Sequence, residues 1–192
     1  MDLLAALTAE FRSRTVMDEK FPMLTRHGIA DTDVTVHSHF LSYLAALGDT
    51  FGYSGIFECP IPTTPSSTLH RLGEVRPDGV WFTKADNQPV AAFEFERFGP
   101  GQEAKLRTKM ENLHIAWLQS ERKLHATVLI YWVRSGVAPN AMRELVGAYH
   151  TGFVRRGVQV RHVDSPLAIF KCTWRTAHNG LVVSDILPVE TT

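Results

Sequence analysis

Residues 126–133, Ala-Thr-Val-Leu-Ile-Tyr-Trp-Val, form a nearly continuous apolar run of strand length. A strand with no polar face belongs in the middle of a sheet, where it is covered on both sides. The flanking segments read as its covers. After the Gly99-Pro100-Gly101 breaker, residues 102–119 carry Leu106, Met110, Leu113 and Trp117 at helical spacing, and 139–155 do the same with Met142, Leu145, Val146 and Tyr149. Upstream, 2–13 reads as an amphipathic helix on Leu3, Leu4, Leu7 and Phe11. Asp33 is the expected cap of a helix ending at Gly48, with Val36, Phe40, Tyr43, Leu44 and Leu47 inward.

Residues 52–61, 75–83, 90–98 and 158–163 read as strands, and Asn179-Gly180 marks a hairpin within 167–187. The stretch 60–67, rich in Pro, Thr and Ser, reads as a loop and a mobile element. The expected class is α/β, bordering on α+β: a central mixed β-sheet flanked by helices, with a C-terminal β-hairpin. At 192 residues it reads as one domain, divided into an N-terminal helical extension (1–32), a core (33–165) and a hairpin appendage (166–192).

Zero formal net charge leaves no global field for nucleic acid or an anionic membrane, so a polyanion would need a local patch. Two cysteines, Cys59 and Cys172, build neither a disulfide framework nor a Cys-rich zinc site, and read as free thiols. The first residues lack the basic start of a signal peptide, and no apolar run approaches membrane-spanning length. The expected setting is cytoplasmic, without membrane attachment.

Against this ordinary background, three carboxylates sit in strand-like segments: Asp78 in Arg76-Pro77-Asp78-Gly79-Val80-Trp81-Phe82, and Glu94 and Glu96 in Pro89-Val90-Ala91-Ala92-Phe93-Glu94-Phe95-Glu96-Arg97. Strand alternation puts Glu94 and Glu96 on one side with Val90, Ala92 and Phe98, and Ala91, Phe93 and Phe95 on the other. Two such charges roughly 7 Å apart repel by about 2 kcal/mol at an effective dielectric near 20. Desolvation adds to the cost, and a cation between the carboxylates relieves it. Two plainer readings use the same residues. Asp78-Gly79 is also a favoured pair for a tight turn. Glu94 and Glu96 on an edge strand would face solvent, paired with Arg76, Arg97 or the lysines of the next helix.

The order Pro77-Asp78, a short hairpin, Glu94-Phe95-Glu96 and a following helix resembles the PD-(D/E)XK nuclease superfamily over residues 33–133. The resemblance implies a restriction-endonuclease-like core and a divalent-metal-dependent DNA endonuclease. It implies that Asp78, Glu94 and the Phe95 backbone carbonyl bind Mg²⁺ or Mn²⁺, which suit hard oxygen ligands. Glu96 stands where that superfamily usually has lysine. By resemblance it assists the metal or a water, while Lys105 or Lys109 on the next helix takes the lysine's place facing the phosphate. The same departure implies the alternative, a catalytically inactive nuclease fold serving as a DNA- or protein-binding subunit of a larger complex. Many nucleases of this type dimerise, so the resemblance leaves open a homodimer, with the C-terminal hairpin as a candidate interface, or a larger complex.

Lys105, Arg107 and Lys109 read either as a solvated helix face or as phosphate contacts, with Arg97 and Arg107 the expected nucleic-acid contacts. Arg155, Arg156 and Arg161 form a second basic group, read mainly as solvated surface. His37-Ser38-His39 does not converge on a helix face, so His37 reads as structural or surface, and His114 and His125 as satisfied, partly buried side chains. The four tryptophans, Trp81, Trp117, Trp132 and Trp174, read as core or interface. No phosphate loop, dinucleotide fingerprint or nucleophile elbow occurs, which ranks an enzyme of small-molecule chemistry last.

Overall fold

The computed structural model describes residues 2–61, 71–134, 139, 142–161, 165–177 and 179–189. Helices α1 (Leu3–Ser13), α2 (Thr15–Lys20) and α3 (Asp33–Thr50) precede strands β1 (Tyr53–Phe57), β2 (Gly79–Thr83) and β3 (Pro89–Arg97). There follow α4 (Glu103–Gln119), β4 (Ala126–Arg134), α5 (Met142–Thr151), the short β5 (Phe153–Arg155) and β6 (Val158–Val160), then β7 (Leu167–Ala177) and β8 (Gly180–Pro188).

Six strands form one mixed sheet in the order β1-β2-β3-β4-β7-β8, with β3, β4 and β7 parallel and both outer pairs antiparallel. The apolar run sets this order: β4 lies in the middle, fully buried from Ala126 to Val133. Its side chains alternate between two cores. Val128, Ile130 and Trp132 join α1 and α3, while Leu129, Tyr131 and Val133 join α4 and α5. β3 divides likewise, with Phe93 and Phe95 facing α3 and Ala92 facing α4. Val90 departs from the expected alternation, packing with the α3 side where the β2–β3 register skips it at a bulge.

Several boundaries move for identifiable reasons. Thr32, not Asp33, caps α3, its side chain accepting from the Thr35 N–H at 3.1 Å. The strand expected over 75–83 begins only at Gly79, because Pro77 has no N–H for a ladder. β1 is cut short at Phe57 by the left-handed backbone of Glu58. The helix expected over 139–155 ends at Thr151, where Gly152 takes φ +87°. Residues 153–160 form a hairpin turned by Arg156 and Gly157, both at positive φ. The loop expected over 60–67 lies outside the described residues from 62 on.

β7 pairs in parallel along β4, so the C-terminal hairpin is part of the central sheet. Asn179 lies in the turn, but Gly180 already belongs to the ladder, where it pairs with Ala177. Gly180 has a different duty. At φ +139° it packs against the segment before α3, and a Cβ there would lie 2.1 Å from the Ile29 carbonyl oxygen. Gly180→Ala is therefore expected to destabilise the fold by on the order of 3 kcal/mol, read by urea unfolding. A shift below about 0.5 kcal/mol would show that the approach relaxes freely.

Candidate active site

The site forms where β2 begins and β3 ends. Gly79 pairs with Phe93 in an antiparallel register, so Asp78 falls opposite Glu94, just beyond the last rung. That places two carboxylates side by side at the α4 face, on a strand flanked by β2 and β4 rather than at an edge. Asp78 does not turn into a hairpin. Its carbonyl accepts the Glu58 N–H at 3.1 Å, and its carboxylate Oδ2 accepts the Phe95 N–H at 2.8 Å. The Phe95 carbonyl leaves the strand on the same side as its amide, toward Asp78.

α4 supplies the counter-charge. Lys109 Nζ donates to both Asp78 oxygens at 3.1 Å and to Glu94 Oε2 at 2.6 Å. One turn on, Asn112 Nδ2 donates to Glu94 Oε1 at 3.2 Å. Glu94 is fully buried, Asp78 is 10 % exposed and Lys109 21 %. From the opposite layer, His37 Nε2 lies 3.5 Å from Asp78 Oδ2. α3 brings it there because Phe40, one turn later, stacks on Phe95 with centroids 4.1 Å apart, and Trp81 Nε1 donates to the Leu44 carbonyl. Gly48 leaves the room that the Trp81 indole fills.

The electrostatics follow from burial and from this crowding. Burial pushes Asp78 up, but His37, the Lys109 ammonium and the Phe95 amide outweigh it and hold the carboxyl down at about 2. For Glu94, burial and the neighbouring Asp78 charge outweigh Lys109, and the group is pushed up to about 8. Burial would lower Lys109, yet the two carboxylates raise it instead. Asp78 thus adds stability that is present above its ordinary 3.8 and lost as pH falls toward about 2. Glu94 works in the opposite sense: the native state holds a proton that the unfolded chain releases above 4.5, so stability declines as pH rises toward about 8. The urea midpoint should fall between about pH 5 and 8, and Glu94→Gln should flatten that fall. An equal slope in the variant would contradict this assignment.

The remaining expected residues are placed differently. Glu96 is on the Glu94 side of β3, but three residues past the last β2–β3 rung, and it pairs with Lys105 at 3.8 Å. Among the described residues, no three His, Cys, Asp or Glu side chains gather closely enough to hold a metal, so the expected trio reduces to a pair. Lys105 and Lys109 do share a face of α4, but only Lys109 reaches Asp78 and Glu94. Arg97 pairs with Asp33 at 2.6 Å and lies over Trp132 at 4.8 Å, and Arg134 pairs with Asp31 beside it. Arg107 lines a separate cleft with Glu111 and Phe153.

Sequence reasoning read His37 as structural or surface and Arg155 as mainly solvated surface, and did not single out Asn112. Only Asn112 left a signal, three residues beyond Lys109 and so on the same helix face. His114 is buried as expected, near Tyr149 and Ser165, whereas His125 is exposed because it precedes β4 at the sheet's end. All four tryptophans are core.

A cavity of about 390 Å³ opens at the ends of β3 and β4, lined by His37, Phe95, Glu96, Arg97 and Trp132 among others, with Asp78, Glu94 and Lys109 behind this lining rather than in it. Ligands characteristically bind beyond the carboxyl ends of parallel strands, and this volume is in the range of small-ligand clefts.

The donor types of this pair, though not three gathered ligands, are those that a small divalent cation takes. Three carboxylate oxygens already converge on one positive charge, the Lys109 ammonium, and the donors are hard oxygens. Among the described residues no helix is long and apolar enough to cross a membrane. No protein-family model, curated protein or solved structure matches the chain.

Proposed function

We propose that the chain is a divalent-metal-dependent DNA endonuclease of the PD-(D/E)XK type. The observation that carries this reading is the buried convergence of Asp78 and Glu94, from adjacent strand ends, on one cation position next to an open cavity. Asp78, Glu94 and the Phe95 carbonyl would hold Mg²⁺ or Mn²⁺. Bound there, the ion would supply an activated water and stabilise charge on the phosphate under attack.

The protein's own groups set the rest. The Phe95 amide and His37 fix the Asp78 carboxylate, and Asn112 fixes the far oxygen of Glu94. Lys109, the most exposed of the three charged groups, holds its ammonium on both carboxylates, so an ion bound there would take its place and the freed ammonium would turn toward the phosphate. Glu96 and Lys105 stand at the mouth as an ion pair, Glu96 facing the cavity where a water is to be oriented. With no net charge to draw DNA, cations such as the half-buried, ion-paired Arg97 and the exposed Arg107 must serve locally, which makes binding salt-sensitive.

The test is cleavage of supercoiled plasmid by the purified chain in Mg²⁺ or Mn²⁺. Nicked or linear product that disappears with chelator supports the reading, and intact plasmid with both ions removes it.

The alternative, an inactive nuclease-fold DNA- or protein-binding subunit, is favoured by one observation: Lys109 already neutralises the carboxylate pair, as a structural ion cluster would. Thermal shift separates the two, because an ion that binds only the folded state raises Tm, by about 2.7 kcal/mol of added stability at a hundred times Kd.

A further inference from the structure

Beyond the carboxylates lies a chain of contacts that the proposed chemistry does not itself require. Arg155, on the β5–β6 hairpin, donates from Nη1 to Asn112 Oδ1 at 2.7 Å, and Asn112 Nδ2 donates to Glu94 Oε1 at 3.2 Å. A carboxamide has one accepting and one donating end, whereas a guanidinium only donates. Arg155 therefore claims the oxygen end of Asn112 and leaves the NH₂ end for Glu94. Without Arg155 the amide is free to turn and present its oxygen, an acceptor, to the carboxylate.

Lys109 and Asn112 together then take one Glu94 oxygen each, from the same face of α4. Glu94 is fully buried and has no water to correct a misdirected neighbour. The geometry points to Asn112 and Arg155 as a positioning pair that sets the orientation of Glu94, Arg155 acting without touching it. This rests on the proposed metal site for its consequence but not for its existence.

Charge and positioning predict opposite outcomes. If Arg155 acted only through its charge, removing it would tighten a cation site by relieving repulsion. If it acts by turning Asn112, removing it loosens the site. Outer-shell partners of metal ligands are worth about 10–100-fold in affinity. Measured by Mn²⁺-dependent thermal shift on the full chain, Arg155→Met and Asn112→Leu should weaken the ion by roughly tenfold or more. Arg155→Lys, which can still donate to the amide oxygen, should restore most of it. Unchanged or tighter binding in Arg155→Met overturns the proposal.

A second measurement needs no ion. In urea unfolding of the metal-free protein, Arg155→Met and Glu94→Gln should give a combined midpoint shift different from the sum of the singles, and this coupling should vanish when Asn112 is leucine. Simple additivity overturns the pair. If wild type shows no Mn²⁺ shift but the coupling is present, the nuclease reading fails while the positioning pair stands.

Discussion

Asp78→Ala and Glu94→Ala will each abolish divalent-metal-dependent nicking of supercoiled plasmid under the proposed function. Each removes one of the two carboxylates that meet at the cation position, and among the described residues neither has a substitute there. Glu96, the nearest other acid on that face, lies beyond the last β2–β3 rung and is held by Lys105. Loss of several kcal/mol of transition-state charge stabilisation corresponds to on the order of 10³-fold or more in rate. Glu96→Gln should act more mildly, in the range of about 10²–10⁴-fold for a lost proton-transfer or positioning group. Wild-type rates in Asp78→Ala, with the ion still required, would move the chemistry elsewhere in the molecule.

Lys109→Met will have the largest effect on the fold itself. The ammonium is the only cation within hydrogen-bonding reach of both carboxylates among the described residues, and Glu94 has no access to solvent. Removing one member of a buried ion cluster leaves uncompensated charge and typically costs about 3–5 kcal/mol. Urea unfolding at about pH 9, above the titration of Glu94 at about 8, reads this directly. Glu94→Gln added to Lys109→Met should recover much of the loss, because the second charge is then gone. Mn²⁺ should also raise the Tm of Lys109→Met more than that of wild type, since the ion can replace the missing ammonium. A loss under about 1 kcal/mol would mean that Glu94 simply takes up a proton at little cost.

What the chain discloses before folding depends on distance along it. β4, the α4 stripe and the inward face of α3 were legible because hydrophobic spacing is a local signal. Asp78 and Glu94 were legible because acids within an apolar strand are anomalous. Glu96 was placed on the correct side of β3, but alternation says nothing of where the partner strand stops, and that decides which acids meet. Lys109 was expected to face a phosphate and instead grips the carboxylates, a choice made by how α4 seats on the sheet. His37 and Arg155 approach from separate layers, and no spacing within either segment records that. Residues 153–155 were read as helix because the apolar positions continue past Gly152, whose positive φ ends the helix.

The Ile29–Leu181 bridge has a bearing on how the chain is made. Arg14 also reaches across to the Val183 and Ser184 carbonyls, so the end of α1 leans on β8. Partners about 150 positions apart cannot meet until the later of them, Leu181, has left the ribosome. Closure of the α1 layer is thus a late event in biogenesis, and until then the greasy underside of that layer is the surface a chaperone would encounter.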